Sequence, residues 1–180
     1  LLAVTDRLNR CVRLLTKEGA LMRSIRKGVL GRLLYGVTFD LKGNVWVTDM
    51  GYNKILKLSQ DGLLLQSIHH AASERDRFSH PWGVSCSTEG LIYICDRDNH
   101  RVTVHDEEGN FLFTFGSKGS GPGCFEWPRD IAFGADGLAY VTDVGSKQVC
   151  VWSKEGSFER EFQTKNKPNY IAATSDNHLL

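Results

Sequence analysis

Short runs of alternating apolar and polar residues, each about five residues long, follow one another along the chain. In Arg101–His105, Val102 and Val104 alternate with polar neighbours, and Gly, Asp and Asn residues separate this run from the next ones. The neighbouring runs rich in β-branched and aromatic residues are 82–86, 91–95 and 111–115. Runs of this length bounded by turn residues are typical of β-strands. The pattern predicts an all-β chain with no helix of useful length.

The same group of runs recurs along the sequence. The tripeptides that end each second strand are separated by 43, 47 and 47 residues and lie at 4–6, 47–49, 94–96 and 141–143. A turn glycine recurs at the same offsets, as Gly19, Gly62, Gly109 and Gly156. A period of about 40–50 residues with four short strands per unit is typical of β-propeller blades. We therefore treat residues 1–180 as one propeller region, with units at 1–34, 35–77, 78–124 and 125–166 and a partial unit at 167–180.

An aspartate follows the second strand in every unit. These residues are Asp6, Asp49, Asp96 and Asp143. A carboxylate at this place can accept hydrogen bonds from N–H groups of the turn that follows. Because an active site is normally unique, four equivalent copies favour structural turn caps over a catalytic or metal-binding role.

The third unit contains the sequence Asp-Arg-Asp-Asn-His-Arg-Val at 96–102, and the segments 78–84 and 125–131 lead into two of the first strands. On these residues the third unit resembles an NHL repeat. The fourth unit departs from this pattern, because it has Asp130 where the second and third units have Gly36 and Gly83.

NHL propellers commonly have six blades and often form the C-terminal part of TRIM-type ubiquitin ligases, where they bind RNA or protein. The resemblance implies that about four blades of four antiparallel strands form an open arc of a six-bladed ring. A ring closed at four blades, completed by 169–174, is the alternative. The implied function is non-catalytic substrate recognition in protein ubiquitination, with RING, B-box and coiled-coil regions upstream of these residues. The alternatives are an RNA-binding propeller in post-transcriptional regulation and a propeller hydrolase or lyase with a central metal.

Charge is expected to separate between the two faces of the propeller. We define the top face as the loops between second and third strands together with the segments between units; it contains 15 Lys or Arg and 4 Asp or Glu. The loops of the opposite face contain 3 basic and 9 acidic residues, although the net charge of the chain is +1. Arginine and aromatic side chains on one face can bind unpaired bases or a protein partner. The expected contact residues are Arg7, Arg10, Tyr52, Trp82, Arg97, Asn99, His100, Arg101, Trp127, Arg129 and Lys147.

No catalytic motif stands out, so the sequence predicts that the chain is not an enzyme. The adjacent His69 and His70 are poorly placed to chelate a metal on a strand, because neighbouring side chains point to opposite faces. We therefore expect no catalytic residue, no cofactor and no metal site.

Cysteine usage and hydropathy bear on the compartment. The five cysteines are odd in number and include no Cys-x-x-Cys pair, which favours a reducing compartment and hence the cytoplasm. No apolar run approaches the roughly 20 residues of a membrane-spanning helix, so no membrane contact is expected.

Overall fold

The computed structural model describes residues 1–25, 28, 30–73, 76–174 and 178–180. Four of the charged residues counted for the top face, Arg26, Lys27, Glu74 and Arg75, lie outside the described residues. The strands, in chain order, are β1 (Leu2–Asp6), β2 (Cys11–Leu15), β3 (Leu21–Ile25), β4 (Leu34–Phe39), β5 (Val45–Asp49), β6 (Lys54–Leu58), β7 (Leu64–Ile68), β8 (Pro81–Cys86), β9 (Ile92–Asp96), β10 (Arg101–His105), β11 (Phe111–Phe115), β12 (Ser117–Lys118), β13 (Cys124–Phe125), β14 (Pro128–Phe133), β15 (Ala139–Asp143), β16 (Gln148–Trp152) and β17 (Phe158–Gln163).

Fifteen of the strands form four successive antiparallel sheets, which confirms the predicted all-β propeller architecture, and β12 and β13 form a short parallel pair. Blade 1 is β1-β2-β3, blade 2 is β4-β5-β6-β7, blade 3 is β8-β9-β10-β11 and blade 4 is β14-β15-β16-β17. The blades form an open arc, so the alternative of a ring closed at four blades is wrong. Two short 3₁₀ turns, Met50–Tyr52 and Arg97–Asn99, are the helical segments of the described residues, and neither could span a membrane.

The first strand of each four-stranded blade lies innermost, and these inner strands pack side by side in the order β4, β8, β14. Their approach is close enough to require glycine. A Cβ on Gly36 would lie 2.5 Å from the carbonyl oxygen of Trp82, and a Cβ on Gly83 would lie 2.6 Å from that of Arg129. Thr48 links β4 and β8. Its hydroxyl accepts the N–H of Gly36 at 2.8 Å and donates to the carbonyl of Trp82 at 2.5 Å.

The hydrophobic core consists of layers between successive blades. The buried side chains between blades 2 and 3 include Trp46, Ile55, Phe78, Ile92 and Ile94, and those between blades 3 and 4 include Tyr93, Phe115, Phe125, Ile131 and Trp152. Burying each large apolar side chain contributes roughly 1.5–3 kcal/mol before the entropy of ordering is counted. The alternation seen in the sequence therefore places one side of the inner and middle strands in a layer that two blades share.

The aspartates after the second strands are held in two different ways. Asp6 accepts the N–H of Asn9, in the turn that follows, at 3.0 Å. Asp96 instead accepts the N–H of Ser79 at 2.7 Å, and Asp143 accepts that of Trp127 at 2.7 Å. Ser79 and Trp127 precede the inner strands of their blades, so these two carboxylates tie the incoming segment to the second strand rather than capping the following turn.

Asp49 is fully buried and differs from the other three aspartates. Neither of its carboxylate oxygens has a hydrogen bond of ordinary geometry within the described part of the chain. Burial raises the pKa of Asp49, although Lys54 and the nearby N–H groups of Gly31, Tyr52 and Gly51 act in the opposite direction. A Cβ on Gly31 would lie 2.0 Å from this carboxylate, so the incoming segment of blade 2 passes directly against it.

Candidate functional site around the propeller axis

One repeat position forms a continuous chain of contacts across the inner strands. Tyr35, Trp82 and Arg129 occupy equivalent places at the top ends of β4, β8 and β14. The Tyr35 and Trp82 ring centres are 3.9 Å apart, and the guanidinium carbon of Arg129 lies 3.9 Å from the centre of the Trp82 ring. Arg129 then donates a hydrogen bond to the side-chain oxygen of Asn169. We call these four residues the axial row.

A second arginine lies over the same indole. Arg97, in the turn after β9, places its guanidinium carbon 5.5 Å from the ring centre of Trp82 and 5.4 Å from that of Trp127. Trp82 is only 8% exposed, whereas Trp127 is 36% exposed. The two arginines therefore cover a buried indole next to an exposed one.

Two adjoining cavities lie beneath and beside the axial row. One, of about 210 Å³, is lined by the inner strands and includes Tyr35, Trp82, Asp130 and Tyr170. The other, of about 290 Å³, includes Arg7, Tyr35 and Tyr170. Arg7 donates a hydrogen bond to the hydroxyl of Tyr35 at 2.8 Å, and its guanidinium carbon lies 5.7 Å from that ring centre. The shared tyrosines join the two spaces; we call the first space the axial cavity.

Asp130 is the carboxyl group of the axial cavity. It lies on β14 at the repeat position that is glycine in β4 and β8, and its Oδ2 accepts the N–H of Ile171 at 3.1 Å. Burial raises the pKa of Asp130 to about 6, although the N–H groups of Ile171 and Ile131 favour the carboxylate. A carboxyl group with such a pKa exists in both protonation states near neutral pH, which suits a general acid or base.

Arg129 is held in an electrostatically unfavourable place. Burial lowers the pKa of Arg129, and the positive charge of Arg97 lowers it further. Its Nε–H is buried and finds no hydrogen-bond acceptor among the described residues. The Trp82 indole N–H is also buried, and no described residue accepts a hydrogen bond from it.

The structure brings together five of the eleven contact residues expected from the sequence. Trp82, Arg97, Trp127 and Arg129 share one cluster, and Arg7 borders the adjoining cavity through Tyr35. These residues come from blades 1, 3 and 4, so their proximity depends on how the inner strands pack.

Three other expected contact residues make contacts within blade 3 or to the segment that leads into blade 4. Asn99 donates to the carbonyl of Arg77 and to Asp96, both at 2.8 Å. Arg101 is engaged by the carboxylates of Asp96 at 2.9 Å and Asp76 at 2.5 Å. His100 contacts the carbonyl oxygen of Glu126 through Nδ1 at 2.5 Å. Within the described residues these side chains serve the fold.

The remaining three lie on exposed turns. Arg10 and Lys147 occupy the same turn position as Asn53 and His100, and all four residues have a positive φ between 50° and 56°. This left-handed residue ends the turn after each second strand. Tyr52 is 58% exposed, and the ammonium group of Lys54 lies 5.4 Å from its ring centre. In the part of the chain that the structure describes, no side-chain contact joins Arg10, Tyr52 or Lys147 to the axial row.

The eleven contact residues expected from the sequence did not include Tyr35, Asp130 or Tyr170. The available signal was the repeat itself: a position that is Gly36 in one inner strand and Gly83 in the next becomes Asp130 in the third. The carboxylate that replaces glycine here lies between two neighbouring segments, because its Oδ1 is 2.7 Å from where a Cβ on Gly83 would stand and its Oδ2 accepts the N–H of Ile171.

Potential metal ligands are dispersed in this structure. Among the described residues, no group of three or more His, Cys, Asp or Glu side chains is placed to hold a metal ion. We therefore assign no metal ligand. All five cysteines are free thiols.

Comparison with known families supports the repeat assignment over part of the chain. The NHL repeat model matches residues 78–104, which include most of β8, β9 and β10. No curated protein matches the sequence.

Solved propeller structures resemble nearly the whole chain. Virginiamycin B lyase from Staphylococcus aureus superposes with a TM-score of 0.76 and 20% identity, over 98% of this chain and 57% of that protein. A streptogramin B lyase gives 0.75 and 19%, over 98% of this chain and 56% of that protein. A gluconolactonase from Xanthomonas campestris gives 0.76 and 15%, over 98% and 64%. The chain thus shares their fold and spans less than two thirds of their length.

These neighbours correct one expectation and leave another without support. The prediction that the chain is not an enzyme, which rested on the lack of a catalytic motif, is wrong, because the structures that resemble the chain include a lyase and a gluconolactonase. Short linear motifs are a poor guide here, since a propeller site is assembled from single residues of separate blades. None of these neighbours is a TRIM-type ligase, so the TRIM resemblance gains nothing from them.

Proposed function

We propose that this arc belongs to a propeller enzyme, a hydrolase or lyase, that acts on a small molecule by acid–base chemistry in the axial cavity. The observation that carries the proposal is Asp130, a carboxyl group with a pKa raised to about 6 by burial in the wall of that cavity. The lyase and gluconolactonase among the structural neighbours support this class of function.

Asp130 supplies the proton transfer in this proposal. Its carboxylate form removes a proton from a bound substrate or from water, and the resulting carboxylic acid returns a proton to the leaving group. The N–H of Ile171 holds Oδ2 in place at 3.1 Å and leaves the second oxygen to face the cavity side of Gly83. A group positioned in this way typically contributes about 10²–10⁴-fold to the rate.

Tyr35 and Tyr170 shape the space in which the substrate binds. Both line the axial cavity and the adjoining cavity, so a ligand larger than about 210 Å³ extends past them toward Arg7. Their rings provide apolar walls, and the Tyr35 hydroxyl is already fixed by Arg7. Ligand sites of this kind combine apolar walls with few polar groups.

The test is a screen of lactones and esters, including gluconolactone, followed by proton release in a pH-stat. Asp130→Asn is expected to lower turnover at least 100-fold, whereas Asp61→Asn, at a largely exposed carboxyl group, leaves it within twofold. The rate of the active protein is expected to change with an inflection near pH 6. Turnover that survives Asp130→Asn, or a panel on which the protein shows none, contradicts the proposal.

The exposed indole of Trp127 beside Arg97 favours a second candidate, binding of single-stranded RNA on the top face. A partly exposed indole next to a guanidinium provides a surface on which a base can stack. In this candidate function the exposed Arg10 and Lys147 bind phosphates. Binding of RNA oligonucleotides is expected to weaken steeply with salt and to fall in Trp127→Ala. Tight binding that is insensitive to salt would indicate a protein partner instead, and undetectable RNA binding at low salt removes this candidate.

A further inference from the structure

We propose that Arg97 and Arg129 form an oxyanion-binding subsite at the top of the axial cavity, and that the substrate carries a carboxylate or phosphate group. The substrate part of this inference rests on the proposed function, whereas the subsite itself rests on the geometry of the two arginines.

Both guanidinium groups lie over the same indole ring. The guanidinium carbons lie 5.5 and 3.9 Å from the centre of the Trp82 ring, although Arg97 comes from a turn of blade 3 and Arg129 from the inner strand of blade 4. Two like charges over one buried indole repel each other through a region of reduced dielectric. A bound anion would offset this repulsion.

The protein supplies little negative charge to this pair. Arg129 makes no ion pair within the described residues, and its side-chain partner is the neutral amide of Asn169. Arg97 lies 3.4 Å from Asp98, but that carboxylate is closer to His80, at 2.7 Å. Arg101 shows the contrast, because it pairs with two carboxylates and is thereby committed to the fold.

An unused donor points to the missing partner. The Nε–H of Arg129 is buried and has no acceptor in the described part of the chain. A buried donor without an acceptor is destabilising, and an oxyanion that accepts from a guanidinium offsets this cost through charge-assisted hydrogen bonds. Burial and the neighbouring charge of Arg97 lower the pKa of Arg129, which is the change that a bound anion would reverse.

The position of Trp82 connects this subsite with the proposed chemistry. Its side chain lies under both guanidinium groups and also lines the axial cavity that contains Asp130. A molecule anchored by its oxyanion on Arg97 and Arg129 therefore has its remaining atoms next to the proposed acid–base group.

The test measures the binding of inorganic phosphate and of acetate to the intact chain, with tryptophan fluorescence and calorimetry as the two readouts. Arg97→Gln and Arg129→Gln are each expected to weaken binding of the preferred anion at least tenfold. Arg129→Lys keeps the charge but loses the planar fork, and a weakening of at least threefold is expected. Arg23→Gln, at an exposed arginine paired with Asp61, is the matched control and should stay within twofold.

Comparison of the two anions identifies the group that the substrate carries, since the better binder reports whether phosphate or carboxylate fits. Absence of saturable binding by either anion, or equal weakening in Arg97→Gln and Arg23→Gln, overturns the subsite. A ten-nucleotide RNA that competes with phosphate and binds more than 100-fold more tightly overturns the assignment to a small molecule.

The outcome for this subsite can be separated from that for the enzyme. Asp130→Asn should bind the anion within threefold of the unaltered protein, because Asp130 does not contact either guanidinium group. If the anion binds as expected but no substrate turns over, the subsite stands and the proposed enzyme fails. If turnover depends on Asp130 but KM is unchanged in Arg97→Gln, the enzyme stands and this inference fails.

Discussion

At the scale of single residues, Asp130 combines a raised pKa with an exceptional repeat position. Burial raises the pKa of this carboxyl group to about 6, while the unfolded chain titrates near 3.9. Between about pH 4 and pH 6, Asp130 is therefore protonated in the folded state and ionised in the unfolded state. It follows that the contribution of Asp130 to stability is complete below pH 4 and declines as the pH rises through 6.

Replacing the ionisable carboxyl group of Asp130 by a neutral amide should stabilise the protein at high pH. We expect Asp130→Asn to raise the free energy of unfolding at pH 8 by on the order of 3 kcal/mol, with a smaller gain at pH 4.5. The asparagine oxygen can still accept the N–H of Ile171. Urea unfolding at both pH values measures the effect, and Asp61→Asn serves as the exposed control. A gain that is equal at the two pH values would show that packing, not ionisation, is responsible.

His105 titrates in the opposite sense. It is fully buried between Phe78 and Phe111, and burial lowers the pKa of its imidazole. Above about pH 6.5 the imidazole is neutral in the folded and unfolded chains alike. As the pH falls, the unfolded chain takes up a proton that the folded chain resists, so the free energy of unfolding decreases.

His105→Gln should therefore reduce the acid sensitivity of the fold. We expect the loss of stability between pH 7.5 and pH 5.5 to be smaller in this variant than in the unaltered protein, as measured by urea midpoints. His69→Gln, at an exposed histidine, provides the comparison. An identical pH dependence in all three proteins would contradict the role assigned to His105. Because Asp130 acts with opposite sign in part of this range, the pH profile of the unaltered protein alone cannot separate the two residues.

At the scale of elements, the contact between inner strands depends on glycine. A Cβ on Gly83 would meet the carbonyl oxygen of Arg129 at 2.6 Å and Asp130 Oδ1 at 2.7 Å. Backbone atoms cannot move aside as a flexible side chain can, so β8 and β14 would have to separate. Separation would also open the wall of the axial cavity.

Gly83→Ala is expected to destabilise the chain by about 1–3 kcal/mol or more, which is the usual cost of forcing extra volume into a packed interior. Gly121→Ala is the matched control, because a Cβ there meets no atom within 4 Å and the residue lacks a positive φ. Urea denaturation of both variants measures the difference. Equal midpoints would show that the inner strands are not in close contact.

At the scale of the whole molecule, two lysines connect blades 2 and 3 in different environments. Lys42 is exposed and pairs with the carboxylates of Glu107 and Glu108 at 2.8 and 3.1 Å. Lys57 is buried, donates to the backbone carbonyl of Glu107 and lies 3.6 Å from Asp40. Both amines thus contact the same loop of blade 3. Lys42 does so through ion pairs at the surface, and Lys57 does so through a hydrogen bond in the interior.

We expect Lys57→Met to destabilise the arc by about 3 kcal/mol, because it leaves the carboxylate of Asp40 buried without its cation. Lys42→Gln should not shift the unfolding midpoint measurably, since exposed ion pairs are screened and contribute little. Thermal unfolding of the two variants side by side tests this difference. A larger effect at Lys42 would mean that surface charge holds the blades together.

The sequence alone determined the four-strand pattern of the blades, the repeat and the order of the blades, whereas the structure decided that the arc is open. Period-2 alternation and turn glycines such as Gly62 are local properties, and the same local pattern repeated four times leaves few alternatives for the fold. The sequence also contained the departure at Asp130, although its meaning was not evident without neighbours.

Only the tertiary structure decided which residues share a site. Arg97 and Arg101 lie on the same short stretch, yet one covers Trp82 and the other is bound by Asp96 and Asp76. Alternation along a strand sets the side to which a residue points, but its partners come from another blade at a distance fixed by how closely the inner strands pack. The axial cavity exists for the same reason: its walls come from three blades and the segment around Tyr170, which no local pattern brings together.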